Sequence, residues 1–142
     1  MTTEEKDLLR KDLCARFPYG VIVSVTDGTI KYEAYIESVS YQNIQVSPVS
    51  DSVFTPYTFY KISEIKPYLR PMESMTEEEK EEYEKLCILI PTQFDSDLQK
   101  YDYYTTDSME SFDWLLKNHF DVRDLIEKGL AIAVTEDNNP YK

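Results

Sequence analysis

The side chains that could act as bases, nucleophiles or soft metal ligands are few and lie far apart. His119 is the one histidine, and Cys14 and Cys87 are the two cysteines. Nucleophilic catalysis needs a base held beside a Ser or Cys, and zinc needs three or four His or Cys ligands. The sequence therefore predicts no catalytic residue, no metal site and no cofactor. We expect both cysteines to be small buried side chains, and His119 to be explained by packing at a helix end.

Two further ligand-binding patterns lack the residues that they require. Asp95, Asp97 and Gln99 match positions 1, 3 and 5 of a calcium loop, but Lys100 replaces the glycine of position 6 and Thr106 the glutamate of position 12. The 3 glycines are too few and wrongly spaced for a phosphate-cradling loop. We predict that the chain is not an enzyme.

The charge balance limits the class of partner. With 27 Asp and Glu against 15 Lys and Arg, the formal net charge is −12. Such a chain is disfavoured from binding phosphate backbones or an anionic membrane directly. The acidic start at 1–7 is unlike a signal peptide, and no apolar run is long enough to span a bilayer. We expect a cytoplasmic protein whose acidic surface suits solubility or a basic partner.

Two groups of aromatic residues are candidates for binding a partner. SH3-like barrels bind peptides on exposed aromatic side chains, and tyrosines are enriched at interfaces. Packing is the alternative for both groups. Half of the side chains in a small barrel face inward, which applies to the first group, and the C-terminal helices could pack under the second. The candidates are Tyr57, Phe59, Tyr60 and Tyr68 in the first group, and Tyr101, Tyr103 and Tyr104 in the second.

Residues 1–72 predict a helix followed by short strands. Thr2 or Thr3 with Glu5 forms a capping box for a first helix that ends at Phe17-Pro18. Asp27-Gly28 predicts a type I′ hairpin turn, which needs positive φ at both residues. A bulge near Ser38 is indicated by a slip in the alternation. The predicted strands are 21–25, 30–37, 44–47, 57–62 and 66–69.

The order of these elements resembles a small SH3-like or Sm-like barrel. The runs 27–30 and 43–46 look like the strand pair of an Sm-type chain, and Ile62 and Ile65 fit one 3₁₀ turn before the last strand. Pro67 then requires that the last strand lie at an edge. The extra glycines that let such strands bend are missing, so an open, curled antiparallel sheet is the alternative to a closed barrel. The predicted fold class is α+β.

Residues 73–142 predict a mainly helical region. Thr76 with Glu79 caps a surface helix that runs to about Leu86, and Asp107 with Glu110 caps a second. Asp121 is expected to cap a third helix, which stops at Gly129. Residues 92–106 give no clear prediction, 130–134 could add a strand, and 135–142 are expected to be loose.

The last two predicted helices invite a helix-turn-helix interpretation. The would-be recognition helix, 122–128, carries as many acids as bases. This balance disfavours entry into a groove that is lined by phosphates, so we do not expect DNA to be read there.

Two stretches carry a family resemblance: 60–72 leading into 75–79, and 112–115 continuing through 119–121 and 125–131. In these stretches the chain resembles a group of uncharacterised proteins of anaerobic gut bacteria and their prophages. The resemblance implies a phage or mobile-element setting, and it implies no activity or site residue.

Three hypotheses of function remain. The first is a non-catalytic protein-binding accessory module of phage or mobile-element origin. The second is an acidic mimic of nucleic acid that inhibits a DNA-binding protein, which the acidic run 77–84 suggests. The third is a hydrolase with a carboxylate-bound metal ion.

Overall fold

The computed structural model describes the backbone of residues 1–50 and 58–142, with all of their side chains except those of 92 and 101–104. The fold is α+β, with an N-terminal helix against a mixed six-stranded sheet. The elements are α1 (Thr3–Arg16), β1 (Ile22–Thr26), β2 (Lys31–Val39), β3 (Ile44–Pro48), β4 (Phe59–Tyr60), β5 (Ile65–Leu69), α2 (Glu77–Leu86), β6 (Ile88–Asp95), β7 (Lys100–Thr106), α3 (Met109–Lys117) and β8 (Ile132–Ala133).

Helix α1 begins and ends as its sequence predicts. The Thr2 side chain accepts a hydrogen bond from the Glu5 backbone, and the Glu5 carboxylate accepts one from the Thr2 backbone. Leu9 and Leu13 are fully buried on the face that packs on the sheet. Cys14 is exposed and Cys87 is half-buried, so the expectation of two buried cysteines is wrong. Cys14 lines a surface pocket with Glu37, Ser38 and Val39 of β2.

The first hairpin forms at the expected place with a different turn. Strands β1 and β2 pair antiparallel, with Thr26 opposite Lys31. Gly28 has φ +94°, whereas Asp27 does not have a positive φ, so the type I′ turn is wrong. Asp27 Oδ1 instead accepts hydrogen bonds from the backbone N–H groups of Thr29 and Ile30. These hydrogen bonds to the side chain stabilise the turn, so Asp27 does not need the positive φ of a type I′ turn.

The next two strands follow the predicted order. The β2–β3 register shifts between Ile36 and Ser38, which confirms a bulge in this part of β2. The 3₁₀ turn is also confirmed, at Ile62–Glu64, with Ile62 and Ile65 both buried. The predicted fourth strand, 57–62, is reduced to the two residues of β4 in the described part of the chain.

The sheet is open. Its strand order is β4-β3-β2-β1-β5-β8, so β4 and β8 are the edges and the closed barrel is not formed. Strand β8 lies within 130–134, as predicted, and pairs parallel with β5, which makes the sheet mixed. Strand β5 is therefore internal, and the edge position expected from Pro67 is wrong. Only Tyr68 and Leu69 pair with β8, so Pro67 needs no N–H group on that side.

Residues 73–142 contain a β-hairpin as well as helices. Strands β6 and β7 pair antiparallel as a separate two-stranded sheet, which corrects the mainly helical prediction. Helix α2 is capped by Thr76 and Glu79 as expected. Helix α3 is capped by Ser108 with Ser111, one residue after the predicted Asp107. No helix in the described part of the chain is long and apolar enough to cross a membrane.

The predicted third helix of this region is a series of turns. The Asp121 carboxylate accepts from the backbone N–H groups of Leu125 and Ile126, at 2.9 and 3.0 Å. Asp124 has φ +56°, which a right-handed helix does not allow. The helix-turn-helix interpretation is therefore wrong, because its second helix is not formed.

The C-terminal segment 135–142 is attached to the sheet, which corrects the expectation of a loose tail. The Tyr141 hydroxyl donates to the Tyr68 carbonyl at 2.8 Å and accepts from the Ile22 N–H at 3.1 Å. The Tyr141 ring stacks on His119 with a centroid distance of 3.8 Å. Burial raises the pKa of the Tyr141 hydroxyl, so the phenol stays neutral.

A buried ion pair joins α1 to the C-terminal half. Arg16 and Asp12 are fully buried, and Arg16 Nε donates to Asp12 Oδ2 at 2.6 Å. Arg16 Nη2 donates to the carbonyl of Phe120 at 2.6 Å. Arg123 Nη1 reaches the other oxygen of Asp12, at 2.9 Å. The pair thus connects residues that are separated by more than 100 positions in sequence.

Replacement of Asp12 should destabilise the fold strongly. In Asp12→Asn the charge of Arg16 remains buried without its counter-ion, which costs about 3 to 5 kcal/mol in comparable cases. Urea denaturation measures the loss. The control is Asp7→Asn on the same helix, because the Asp7 side chain is 64% exposed and its pair with Arg10 is at the surface. The control should lose no more than about 0.5 kcal/mol, and equal losses would contradict the assigned role of Asp12.

Candidate functional site

The first group of aromatic candidates does not form one exposed surface. Tyr60 is 4% exposed, and its hydroxyl lies 3.0 Å from that of Tyr32. Tyr68 is 6% exposed and donates to Glu33 Oε1 at 3.3 Å. Burial, together with the nearby Glu33 carboxylate, raises the pKa of Tyr68. These two tyrosines belong to the core and expose little surface to a partner, and their partner-binding role stays a prediction.

Phe59 is the candidate of this group that the structure leaves at the surface. It lies in the edge strand β4 with 56% of its surface exposed. Tyr57 lies outside the described residues, so its prediction is untested. Tyr101, Tyr103 and Tyr104 belong by backbone to strand β7, and their side chains also lie outside the described part. The role of these three tyrosines stays a prediction.

The β6–β7 hairpin carries apolar residues that the body of the protein does not cover. Ile88 is 50% exposed and Leu89 is 61% exposed. Consecutive residues of a strand point to opposite faces, so both faces of the hairpin are accessible here. Leu98, in the turn between the strands, is 61% exposed. The contacts of the hairpin are concentrated between its own two strands.

The turn of this hairpin explains the acidic pattern that resembles a calcium loop. Asp95 Oδ1 accepts hydrogen bonds from the backbone N–H groups of Asp97 and Leu98, at 3.0 and 3.2 Å. Gln99 supplies the positive φ, +56°, that closes the turn. Asp95 therefore orders the chain at the end of β6, as aspartates commonly do in turns.

Helix α2 places an acidic surface next to the base of the hairpin. The capping box of Thr76 and Glu79 fixes the first turn of the helix. The Glu79 carboxylate also accepts two hydrogen bonds of 2.7 Å from Arg70. Those bonds lower the pKa of Glu79 to about 2. The exposed glutamates of the helix are Glu77, Glu78, Glu81, Glu82 and Glu84.

The base of the hairpin is fixed by contacts between α2 and α3. The Tyr83 hydroxyl donates to Asp107, and the Tyr83 ring lies 5.9 Å from that of Trp114. Ser108 Oγ donates to the carbonyl of Leu86, the last residue of α2, at 2.6 Å. The end of α2, where the hairpin begins, is therefore held in place by these contacts.

His119 is held in an unusual position at the end of α3. Its backbone φ is +65°, which is uncommon for a residue with a side chain. Its Nδ1 atom is buried and has no hydrogen-bond partner among the described residues. Burial lowers the pKa of His119 to about 4, and the charges of Arg16 and Arg70 contribute to the shift. The imidazole is therefore neutral at pH 7.

His119 lines a surface cleft that also contains Thr76 and Glu136, but among the described residues its ring has no hydrogen bond to either of them. The groups that set its environment are two arginines and the Tyr141 ring, and the Tyr141 hydroxyl is bonded to backbone atoms. No three His, Cys, Asp or Glu residues in 1–50 and 58–142 are grouped so that they could hold a metal ion. The prediction that the chain is not an enzyme stays a prediction.

The hairpin surface is the feature that the sequence predictions missed. The apolar run 88–90 is followed by a polar stretch that is rich in tyrosine and threonine, 101–106. Aromatic and β-branched residues are enriched in strands, so this composition was a usable signal. The signal was obscured because Asp95 and Asp97 resemble metal ligands and because the turn contains no glycine.

Three comparisons with known proteins were made, against protein-family models, curated proteins and solved structures, and none of them gave a match. The resemblance to a gut-bacterial and prophage group therefore stays a prediction, and we infer the function from the geometry of this chain.

The stability of the fold should fall on acidification because of His119. The ring titrates near pH 6.5 in the unfolded chain and near 4 in the folded one. Between these values the unfolded state takes up the proton first, so the contribution of the neutral ring is complete above pH 6.5 and is lost as the pH falls to 4. Urea denaturation at several pH values from 7.5 to 4 measures this loss.

The matched variant is His119→Asn, because asparagine tolerates positive φ and does not titrate. The difference in unfolding free energy between the two proteins should change between pH 6.5 and 4 and stay constant above pH 7. Parallel profiles over the whole range would show that the pKa of His119 is not lowered in the folded state.

Proposed function

We propose that this chain is a non-catalytic protein-binding module that acts in the cytoplasm and contacts its partner through the β6–β7 hairpin. The observation that carries the proposal is the exposure of Ile88, Leu89 and Leu98 on a hairpin that the body does not cover. The predicted resemblance to proteins of gut bacteria and their prophages, in 60–72 with 75–79 and in 112–115, 119–121 and 125–131, implies a mobile-element origin.

The physical instability of an isolated hairpin supports a docking role. Two-stranded hairpins are at best marginally stable in water, and they gain stability when a third strand or a packed surface is added. A partner strand added to an edge of the hairpin would satisfy its backbone groups, while the apolar side chains would give specificity. Burial of these side chains contributes roughly 25 cal/mol per Å² of apolar surface.

The charge next to the hairpin favours a basic partner over a second copy of the chain. The exposed glutamates of α2 lie beside the base of the hairpin, and the whole chain has a net charge of −12. Two copies that approached through this surface would repel each other, whereas a partner with Lys or Arg around an apolar strand would be attracted. The proposed partner is therefore a basic protein of the host or the phage.

Mimicry of nucleic acid is the second candidate, and the acidic face of α2 favours it. Glu77 and Glu81, like Glu78 and Glu82, are four residues apart, so their carboxylates form short rows along the helix. In this version the basic partner is a DNA-binding protein, and the rows occupy its phosphate-binding surface. The hydrolase hypothesis gains no support from the acids of the described residues, which form no metal-binding group.

Affinity capture from the lysate of an anaerobic gut bacterium, followed by cross-linking to the hairpin, tests the proposal. The double variant Leu89→Asp, Leu98→Asp should lose the captured basic protein, because it places charge on the apolar contact surface. Both positions are exposed, so the melting temperature should change little. The matched control is Met109→Asp, an exposed apolar position (86%) outside the hairpin.

Recovery of the same proteins with wild type, the double variant and the control would overturn the hairpin proposal. Duplex DNA added during capture distinguishes the two candidates. If the partner is released by DNA, nucleic-acid mimicry is supported, and if the partner stays bound while the hairpin variant fails, the contact is the hairpin itself.

A further inference from the structure

A cleft that is lined by more basic than acidic residues lies between the end of α3, the residue after β5 and the C-terminal segment. Its volume is about 560 Å³, within the range of small-ligand sites. Arg70, Lys117 and Lys142 line it, and Glu136 is the acid among its lining residues. Arg70 is paired with Glu79, so the remaining balance is two bases, Lys117 and Lys142, against Glu136, whereas the chain as a whole has 27 acids against 15 bases.

Two of these cations are available for a ligand. Arg70 is largely neutralised, because its guanidinium donates to both oxygens of Glu79 and lies over the ring of Phe120. Lys117 and Lys142 are exposed and form no ion pair in the described part of the chain. The two lysines come from separate segments, so they line the same cleft only when the chain is folded.

The remaining wall supplies hydrogen-bonding groups on a rigid support. His119 and Tyr141 stack within 10° of parallel, and the Tyr141 hydroxyl is bonded to β1 and β5. Since His119 Nδ1 is buried, Nε2 is the ring nitrogen left for the cleft. Asn118 and Asn139 also line it. Asn118 Nδ2 donates one of its two hydrogens to the Trp114 carbonyl, and Asn139 uses its Oδ1 to accept from the Tyr141 N–H, so each amide keeps an N–H that can donate to an anion.

We propose that this cleft binds a small ligand that carries a phosphate group. Two lysines from separate segments, unpaired among the described residues, line it, which suits a multiply charged tetrahedral oxyanion. The neutral imidazole and the amides supply further donors without adding competing charge. The site is distinct from the β6–β7 hairpin, so this inference is independent of the proposed partner.

Isothermal titration of the full chain with inorganic pyrophosphate at low ionic strength tests the inference, because salt screens exposed charges. The site variant is Lys117→Ala, Lys142→Ala. The control is Lys11→Ala, Lys31→Ala, which changes the net charge equally at two exposed lysines outside the cleft. We expect the site variant to weaken binding at least about 10-fold and the control to change it less than about 2-fold.

Backbone and imidazole NMR shifts locate the bound anion. In the wild type, pyrophosphate should shift the signals of Asn118, His119 and Tyr141. Absence of binding to the wild type, equal weakening in both double variants, or shifts confined to other residues would overturn the proposal.

Discussion

The buried guanidinium of Arg16 is the constraint on which the assembly of the two halves depends. A charge in a dry interior needs partners, and here Asp12 and the carbonyl of Phe120 bind Nε and Nη2, while Nη1 is buried without a partner among the described residues. The Phe120 carbonyl can be supplied only if the turn after α3 closes against α1. The backbone on both sides of Phe120 is in turn bonded to Arg70, at the end of β5. Helix α1, strand β5 and this turn are thus fixed relative to one another.

The strained geometry of His119 follows from the same constraint. The chain must turn sharply between α3 and Phe120, and His119 takes the positive φ that this turn requires. Burial of the ring, helped by the nearby charges of Arg16 and Arg70, lowers its pKa and keeps it uncharged. The ring gives Tyr141 a flat surface on which to stack. The C-terminal segment is ordered through this stack and not through an apolar run of its own.

The local elements were predictable wherever a side chain determines the backbone nearby. The caps at Thr2 and Thr76 and the 3₁₀ turn at Ile62–Glu64 all use contacts within three residues. The open edge of the sheet was foreseen as an alternative, because the strands lack the glycines needed to close a barrel. The sequence indicates that Phe59 and Tyr60 point to opposite faces of a strand, but it does not indicate which of the two is buried.

Features that depend on distant residues were not predictable. The apolar pattern of 122–128 favours a helix, but the Asp121 carboxylate and the contact of Arg123 with Asp12 hold this segment in turns. The β6–β7 hairpin is a local exception: Asp95 orders its turn through bonds to Asp97 and Leu98, but these acids resemble metal ligands and the turn contains no glycine. The cleft at Lys117 and Lys142 joins segments whose proximity depends on Tyr141 reaching β1 and β5.

Native-state amide hydrogen exchange tests most directly whether the hairpin stands apart from a body that is held together by Arg16. The amides of β1, β2 and β5 should exchange only through global unfolding. The amides of β6 and β7 should exchange through local opening, at least about 100-fold faster, because few contacts join them to the core. Equal protection in the hairpin and the core strands would show that the hairpin is part of the cooperative core, and would contradict its assignment as an uncovered docking element.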